Sequence, residues 1–393
     1  MARALYAYLA LWLLAAACAP AAAPERTAST TAGPAQSAAA APAQAASPAA
    51  SSAAAPAGQP APSAAPFPPP AVAKPATPDA VRLGLIGTAS DAGLALALER
   101  GYFAAVGLDV ETVPFTTAAE MVAPLGAGQL DVGGGSPGAG LNNAVARGIA
   151  LKIVADKGST TPGHGYEALL ARQDLWDSGQ VRGFADFAGR RLGTPSAAGV
   201  GANVALDRAM KSVGLSGRDV QIVELSQPNI VTGLANGSVE LGQVLEPFAS
   251  RAVLGGYAAI VARDDEIYPN HQLAALFYSV GFAQEHPDAA RRFMVAYLQG
   301  VRDYNDAFFK GDEARREAVL PLLMEVTKLS DRTVWDQMAL PGLNPACRVY
   351  GDTLAEDQDY YLAAGLQHEP IDLSAVIDNQ YCDYAVQVLG PYR

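Results

Sequence analysis

Two polar–proline pairs, Ser136-Pro137 and Glu246-Pro247, stand at matching points of two similar stretches. The first stretch is Leu125-Gly-Ala-Gly-Gln-Leu-Asp-Val-Gly133 and the second is Leu234-Ala-Asn-Gly-Ser-Val-Glu-Leu-Gly242. A hydroxyl and a carboxylate so placed could hold one small molecule from two sides. Glu246 could accept from an amine, an amide or a hydroxyl, although an acid at a helix start is also favoured by the helix dipole. The loop Gly193-Thr-Pro-Ser-Ala-Ala-Gly-Val-Gly201 adds Thr194 and Ser196 to glycines that expose backbone N–H groups. Such a loop suits an anion or a polar ligand group, or else serves as a plain capping turn. The rings of Phe115, Tyr166 and Tyr278 could stack on a planar ligand or fill a core.

Other chemistries fit less well. Gly134-Gly-Ser-Pro-Gly138 matches the Gly-x-Ser-x-Gly elbow of hydrolases, but the residue after Ser136 is Pro137, which has no N–H to stabilise an oxyanion. His164, His271, His286 and His368 have no zinc spacing and no Cys-x-x-Cys occurs, so no metal site is expected. There is no Walker loop, and Gly199-Val-Gly201 lacks the third glycine of a dinucleotide fingerprint, with Val204 in its place. No cofactor is expected. Asp91, His164 and Glu246 are loose acid–base candidates without a supporting constellation. Enzyme action on a pyrimidine-like substrate is therefore the rival to plain binding. The net charge of −12 argues against nucleic acid, whose phosphates nothing here would neutralise.

The elements that carry these residues also come twice. Arg82-Leu-Gly84 and Arg191-Leu-Gly193 each enter a turn rich in Thr, Ser and Gly and then an apolar helix. Val106-Gly-Leu108 and Val213-Gly-Leu215 each precede a β-rich run. Strands are predicted over 81–86, 108–115, 130–133 and 151–155, and again over 191–193, 220–224, 241–245 and 258–261, with helices between them. This alternation predicts an α/β fold in which each lobe is a mainly parallel sheet flanked by helices. Lobe 1 is expected over 79–171 and 280–393, and lobe 2 over 172–279. Strands over 166–172 and 273–280 would cross between them as a hinge. Ligands of open parallel sheets bind at the carboxyl ends of strands. That rule selects loops 87–91, 115–117, 134–138, 194–201 and 245–248, and so brings Ser90 and Asp91 into the candidate site.

The chain begins with Arg3 and an apolar run too short to span a bilayer, which reads as a signal peptide over 1–18. It ends at Ala15-Ala-Ala-Cys18, small residues before a cysteine, as in the lipobox of bacterial lipoproteins. An ordinary secretory signal is the alternative. Residues 19–78 are almost wholly Ala, Pro, Ser, Gly and Thr, and are expected to be a disordered tether that cannot bury enough surface to order itself. Cys18 would thus anchor the chain to the cell membrane from the extracytoplasmic side. The remaining cysteines, Cys347 and Cys382, are an even pair in an exported domain. They are expected to form a disulfide contributing ~3–4 kcal/mol in the chain-entropy model, with two buried thiols as the alternative.

Ala97-Leu-Glu-Arg-Gly-Tyr-Phe-Ala-Ala-Val-Gly-Leu-Asp-Val-Glu111 resembles the opening signature of type II solute-binding proteins of ABC importers. Gly128-Gln-Leu-Asp-Val-Gly-Gly-Gly-Ser-Pro137, Leu192-Gly-Thr-Pro195 and Glu246-Pro247 are similar to later motifs of the branch that handles sulfonates, nitrate and thiamine-pyrimidine precursors. The resemblance implies the two-lobed periplasmic-binding-protein type II fold, closing on one small molecule and delivering it to a membrane permease. It places ligand contacts near Ser90, Asp91, Ser136, Thr194, Ser196 and Glu246. Ala197-Ala-Gly199 stands where Gly-Ser is common in that branch. With Glu246, and without a strongly basic cleft motif, this favours a vitamin-like heterocycle of pyrimidine or flavin type. A sulfonate- or nitrate-type anion is the alternative. A monomer is expected.

Overall fold

The computed structural model describes residues 72–195 and 200–393. The expected leader, Cys18, most of the tether and Ser196 lie outside the described residues. Among the described residues, ten strands form two five-stranded sheets. In chain order they are β1 (Asp79–Leu85), β2 (Leu108–Pro114), β3 (Val132–Gly135), β4 (Leu151–Ser159), β5 (Glu167–Arg172), β6 (Arg191–Thr194), β7 (Gln221–Glu224), β8 (Leu241–Leu245), β9 (Ala258–Arg263) and β10 (Gln272–Ser279).

The repeat seen in the sequence governs the topology. One sheet has the order β2-β1-β3-β10-β4 and the other β7-β6-β8-β5-β9. Register is also repeated: Leu83 lies opposite Val132, and Leu192 opposite Leu241. The edge contacts recur as well. Arg82 donates its backbone N–H to Asp131 Oδ2 at 2.8 Å and Nη2 to the Gly128 carbonyl at 2.7 Å. Arg191 repeats both, to Glu240 Oε2 at 3.2 Å and to the Gly237 carbonyl at 3.0 Å.

The sheets are mixed rather than parallel. β10 pairs antiparallel with β3 and β4, and β5 pairs antiparallel with β8 and β9. The physical reason lies in the crossings: β5 and β10 are each the first strand formed after the chain passes between the lobes, and each enters its sheet from the opposite end. Sheet membership also shifts the boundaries drawn at 171/172 and 279/280. The outward crossing precedes Glu167 and the return crossing precedes Gln272. Where the two crossings pass, they are tied together. Thr160 donates its N–H to the His271 carbonyl at 3.1 Å, and Asn270 donates to the Thr160 carbonyl at 2.8 Å.

Helix Pro287–Phe309 anchors the first lobe. Pro287 sits in its first turn, where a missing N–H does no harm. Its buried face includes Phe293, Tyr297 and Val301. It passes close to helix Ala92–Glu99 because Gly300 faces Gly93; a Cβ on Gly300 would collide with the Gly93 carbonyl. Cys347 and Cys382 are joined, with 5.6 Å between their Cα atoms, inside the usual span for a disulfide. The bridge fastens helix Gln380–Leu389 to the strand of chain running over β4. Among the described residues no helix is long and apolar enough to cross a membrane.

Candidate ligand cleft

A cavity of about 480 Å³ opens between the two sheets at the carboxyl ends of their parallel strands. That volume lies within the range of roughly 300–1,000 Å³ found for small-molecule pockets. Ser136 and Glu246, the repeat partners, both line it.

The first-lobe wall is built around a buried ion pair. Lys157 on β4 extends its ammonium to Asp91 Oδ1 at 2.8 Å and donates to Ser90 Oγ at 3.0 Å. Asp91 Oδ2 accepts the backbone N–H groups of Gly87 and Thr88 at 2.8 and 2.9 Å. The carboxylate therefore fixes the loop ahead of helix Ala92–Glu99, and the lysine fixes the carboxylate. Glycines make room for this arrangement. A Cβ on Gly134 would stand 2.6 Å from Lys157 Cδ, and one on Gly158 would stand 3.0 Å from both Ser90 Cβ and the Tyr166 hydroxyl. The glycine run before Ser136 thus admits a lysine stem.

The second-lobe wall comes from Val200 and Ala202 at the start of helix Gly201–Ser212, and from the turn 245–248. Glu246 lines the cavity, but protein donors occupy its carboxylate. Oε1 accepts from Ser250 Oγ at 3.1 Å, from Arg263 Nη1 at 3.1 Å and from the Ala339 N–H at 3.2 Å; Oε2 accepts from the Ser250 N–H at 2.9 Å. Ala339 belongs to the C-terminal part of the chain, so Glu246 ties the second lobe to it. That part supplies a third wall with Leu329, Trp335 and Met338. Trp335 donates its indole N–H to the Leu329 carbonyl at 2.9 Å, which leaves only carbon to face inward.

Three expected contacts lie elsewhere. Tyr278 is fully buried in the first-lobe core, where its hydroxyl donates to the Ala290 carbonyl at 3.0 Å. Phe115 packs in an apolar cluster with Met121 and Leu125, because β2 turns it toward helix Ala118–Gly126. Thr194 is fully buried and donates to Gln243 Oε1 at 3.2 Å, behind the cavity wall. Ser90 and Tyr166 do line the cavity, and Asp91 supports it from beneath.

Sequence reasoning missed the cations. Besides Lys157, the lining includes Arg251 and Lys328. Arg251 lies 5.6 Å from the Phe248 ring centroid. Neither Arg251 nor Lys328 has a carboxylate partner among the described residues, whereas Lys157 is balanced by Asp91 and Glu246 by Arg263. Glu167 also lines the cavity, and burial, aided by Asp264, pushes its carboxyl well above the usual range, toward the neutral form. The cleft therefore carries net positive charge in a chain of net charge −12. A signal for Lys157 existed: Asp156-Lys157 directly follows the apolar run Ile153-Val-Ala155, and buried charges need partners.

Behind the cleft, at the hinge, His271 is fully buried between two acids. Nδ1 stands 3.4 Å from Asp264 Oδ2 and Nε2 3.1 Å from Asp357 Oδ2. Burial alone would lower its pKa, but Asp357 and Asp264 outweigh that and push it up to about 10. Asp357 sits on helix Gly351–Ala363, which also meets the second lobe through the pair Glu356–Arg208 at 2.8 Å.

Comparison with known proteins places this geometry. A model of the NMT1-like family matches residues 74–319. A protein of Brucella abortus (strain 2308), provisionally named a binding protein, is 26% identical over 216 residues, which is 54% of this chain and 62% of the relative. The chain thus spans less than two thirds of that relative's length. Among solved structures, the alkanesulfonate-binding protein SsuA from Xanthomonas axonopodis pv. citri, bound to MOPS, superposes with a TM-score of 0.60 at 20% identity, over 78% of this chain and 100% of that one. The periplasmic nitrate-binding protein NrtA from Synechocystis PCC 6803 gives a TM-score of 0.58 at 14% identity, over 82% and 90%. The ligand-binding component of an ABC-type import system from Staphylococcus aureus, with zinc bound, gives 0.63 at 14% identity, over 78% and 99%. At these identities the likeness is one of fold, the two-lobed periplasmic binding-protein architecture. Among the described residues no group of His, Cys, Asp and Glu could hold a metal ion.

Proposed function

The chain belongs to the NMT1-like family, and we propose that it is an extracytoplasmic solute-binding protein that captures a small organic anion between its lobes and hands it to the permease of an ABC importer. One observation carries the choice of an anion. Once the internal pairs are balanced, Arg251 and Lys328 remain as the charges on the cavity wall. A neutral heterocycle of pyrimidine or flavin type would leave both uncompensated. The sulfonate- and nitrate-binding proteins that share the fold support the same choice. In this reading Ser90, Ser136, Lys157, Tyr166 and Arg251 contact the ligand, while Asp91 and Glu246 hold the walls. Lobe closure on the ligand is what the permease would read.

Titration calorimetry of the folded chain against alkanesulfonates, nitrate, pyrimidines and flavins tests this. Binding of anions alone supports it. Binding confined to uncharged heterocycles would replace it with the vitamin-type reading. Mass spectrometry of the ligand recovered after incubation separates binding from catalysis, since only an enzyme changes the molecule. Anchoring through Cys18 is part of the same proposal. Its test is whether Cys18→Ala moves the protein from the membrane fraction into the soluble fraction.

A further inference from the structure

We infer that the anion this cleft selects carries a ring-sized apolar body, and that the wall between Thr327 and Met338 sets that preference. The inference rests on the solute-binding reading above and adds the ligand's shape to it.

Three polar groups of the cavity are gathered on one wall. Ser90, Ser136 and the Lys157 ammonium come from the first lobe, at the ends of β3 and β4 and the start of helix Ala92–Glu99. The opposite walls carry Arg251 and Lys328 and are otherwise mainly carbon. Leu245 and Phe248 face in from the second lobe, and Leu329, Trp335 and Met338 from the C-terminal segment. Trp335 is buried and its only polar atom is already satisfied by Leu329. Apart from Arg251 and Lys328, these walls offer mainly carbon to a bound anion. A four-atom anion held at Lys157 would leave most of the 480 Å³ filled with water against apolar surface. An anion with a ring-sized body would displace that water, and apolar burial is the term that rewards this.

The third wall also has the means to hold its shape. Helix Arg332–Gln337 is capped by the Asp331 carboxylate, which accepts the Thr333 N–H at 2.9 Å. Its far end is tied to the second lobe through Ala339 and Glu246. A wall held at both ends discriminates by shape better than a loose one.

The test is calorimetry with four probes of one charge, namely nitrate, ethanesulfonate, hexanesulfonate and naphthalene-2-sulfonate, with neutral naphthalene-2-sulfonamide alongside. The expected result is a Kd that falls about three- to fourfold per buried methylene from ethanesulfonate to hexanesulfonate. Naphthalene-2-sulfonate should bind more tightly than ethanesulfonate, and the sulfonamide at least tenfold more weakly than the naphthalenesulfonate. Trp335→Ala should weaken naphthalenesulfonate at least tenfold and leave ethanesulfonate within twofold. Phe248→Ala, at a half-buried site, serves the same comparison if the Trp335 variant does not fold. A flat series, or nitrate binding tightest, overturns this inference and leaves the anion reading standing. Equal binding of sulfonamide and sulfonate overturns the anion reading, and with it the class named here. No binding by any probe overturns both.

Discussion

Lys157 Nζ lies 2.8 Å from Asp91 Oδ1, and each side chain is 1% exposed. This pair joins β4 to the loop that opens the first helix of the fold, and it forms the polar floor of the cleft. Removing one partner leaves a buried charge alone. Lys157→Met is therefore expected to destabilise the protein by about 3–5 kcal/mol. The double variant Lys157→Met with Asp91→Asn should regain most of that stability but not the affinity for anions. Urea unfolding and calorimetry on the same preparations check both halves.

Glu246 is expected to act on the walls rather than on the ligand. Glu246→Gln keeps one acceptor oxygen but loses the charge that meets Arg263, and a loss of about 1–3 kcal/mol follows. Small-angle scattering should show a larger radius of gyration as the tie to Ala339 weakens. If affinity fell while stability and radius stayed unchanged, Glu246 would be a ligand contact after all.

Reduction of the Cys347–Cys382 bridge should lower stability by about 3–4 kcal/mol, given a sequence separation of 35. The loss should be felt in the cleft. The Cys347 carbonyl accepts the Asp156 N–H at 2.8 Å, and Asp156 Oδ2 accepts the Asn344 N–H at 2.7 Å, so the bridge steadies the chain that follows the third wall. Melting curves with and without a reductant, each with and without a bound sulfonate, measure both effects.

His271 gives the hinge a pH dependence of known sign. Its pKa is raised in the folded state to about 10 from an ordinary value of 6.5. The stabilisation it provides is therefore complete below about pH 6.5 and is lost as pH rises toward 10. His271→Gln should be less stable than the wild type at pH 6 and lose less stability between pH 6.5 and 10. Denaturant midpoints across that range would refute the assignment if the two proteins kept parallel curves.

Much of the fold was legible because duplication leaves marks that need no partner to be read. The paired stretches ending at Gly133 and Gly242, and the arginines at 82 and 191, fixed which strands correspond. The direction of β5 and β10 was not legible. A strand's pattern records which faces are buried, but not which sheet it joins, and pairing across the hinge settles that. Ser90 and Ser136, selected because strand ends converge on a cleft, and Tyr166, offered as a stacking ring, line the cavity. Tyr278 was misplaced because an aromatic at a strand end can face either side. Trp335 and Met338 were missed because a helix pattern names the buried face without naming what covers it. Lys157 was visible as a charge following an apolar run, and a buried lysine should have prompted a search for Asp91.

Only the first lobe borrows a strand: its sheet takes β10 from beyond the second lobe, whereas β5 to β9 are consecutive and make up the whole second sheet. A fragment stopping after β4 would lack the strand that separates β3 from β4, whereas one running from β5 to β9 would hold every strand of the second sheet. The first lobe's sheet is therefore completed only after the chain of the second lobe has been made. Any swap of lobes between relatives must carry the borrowed strand along with it.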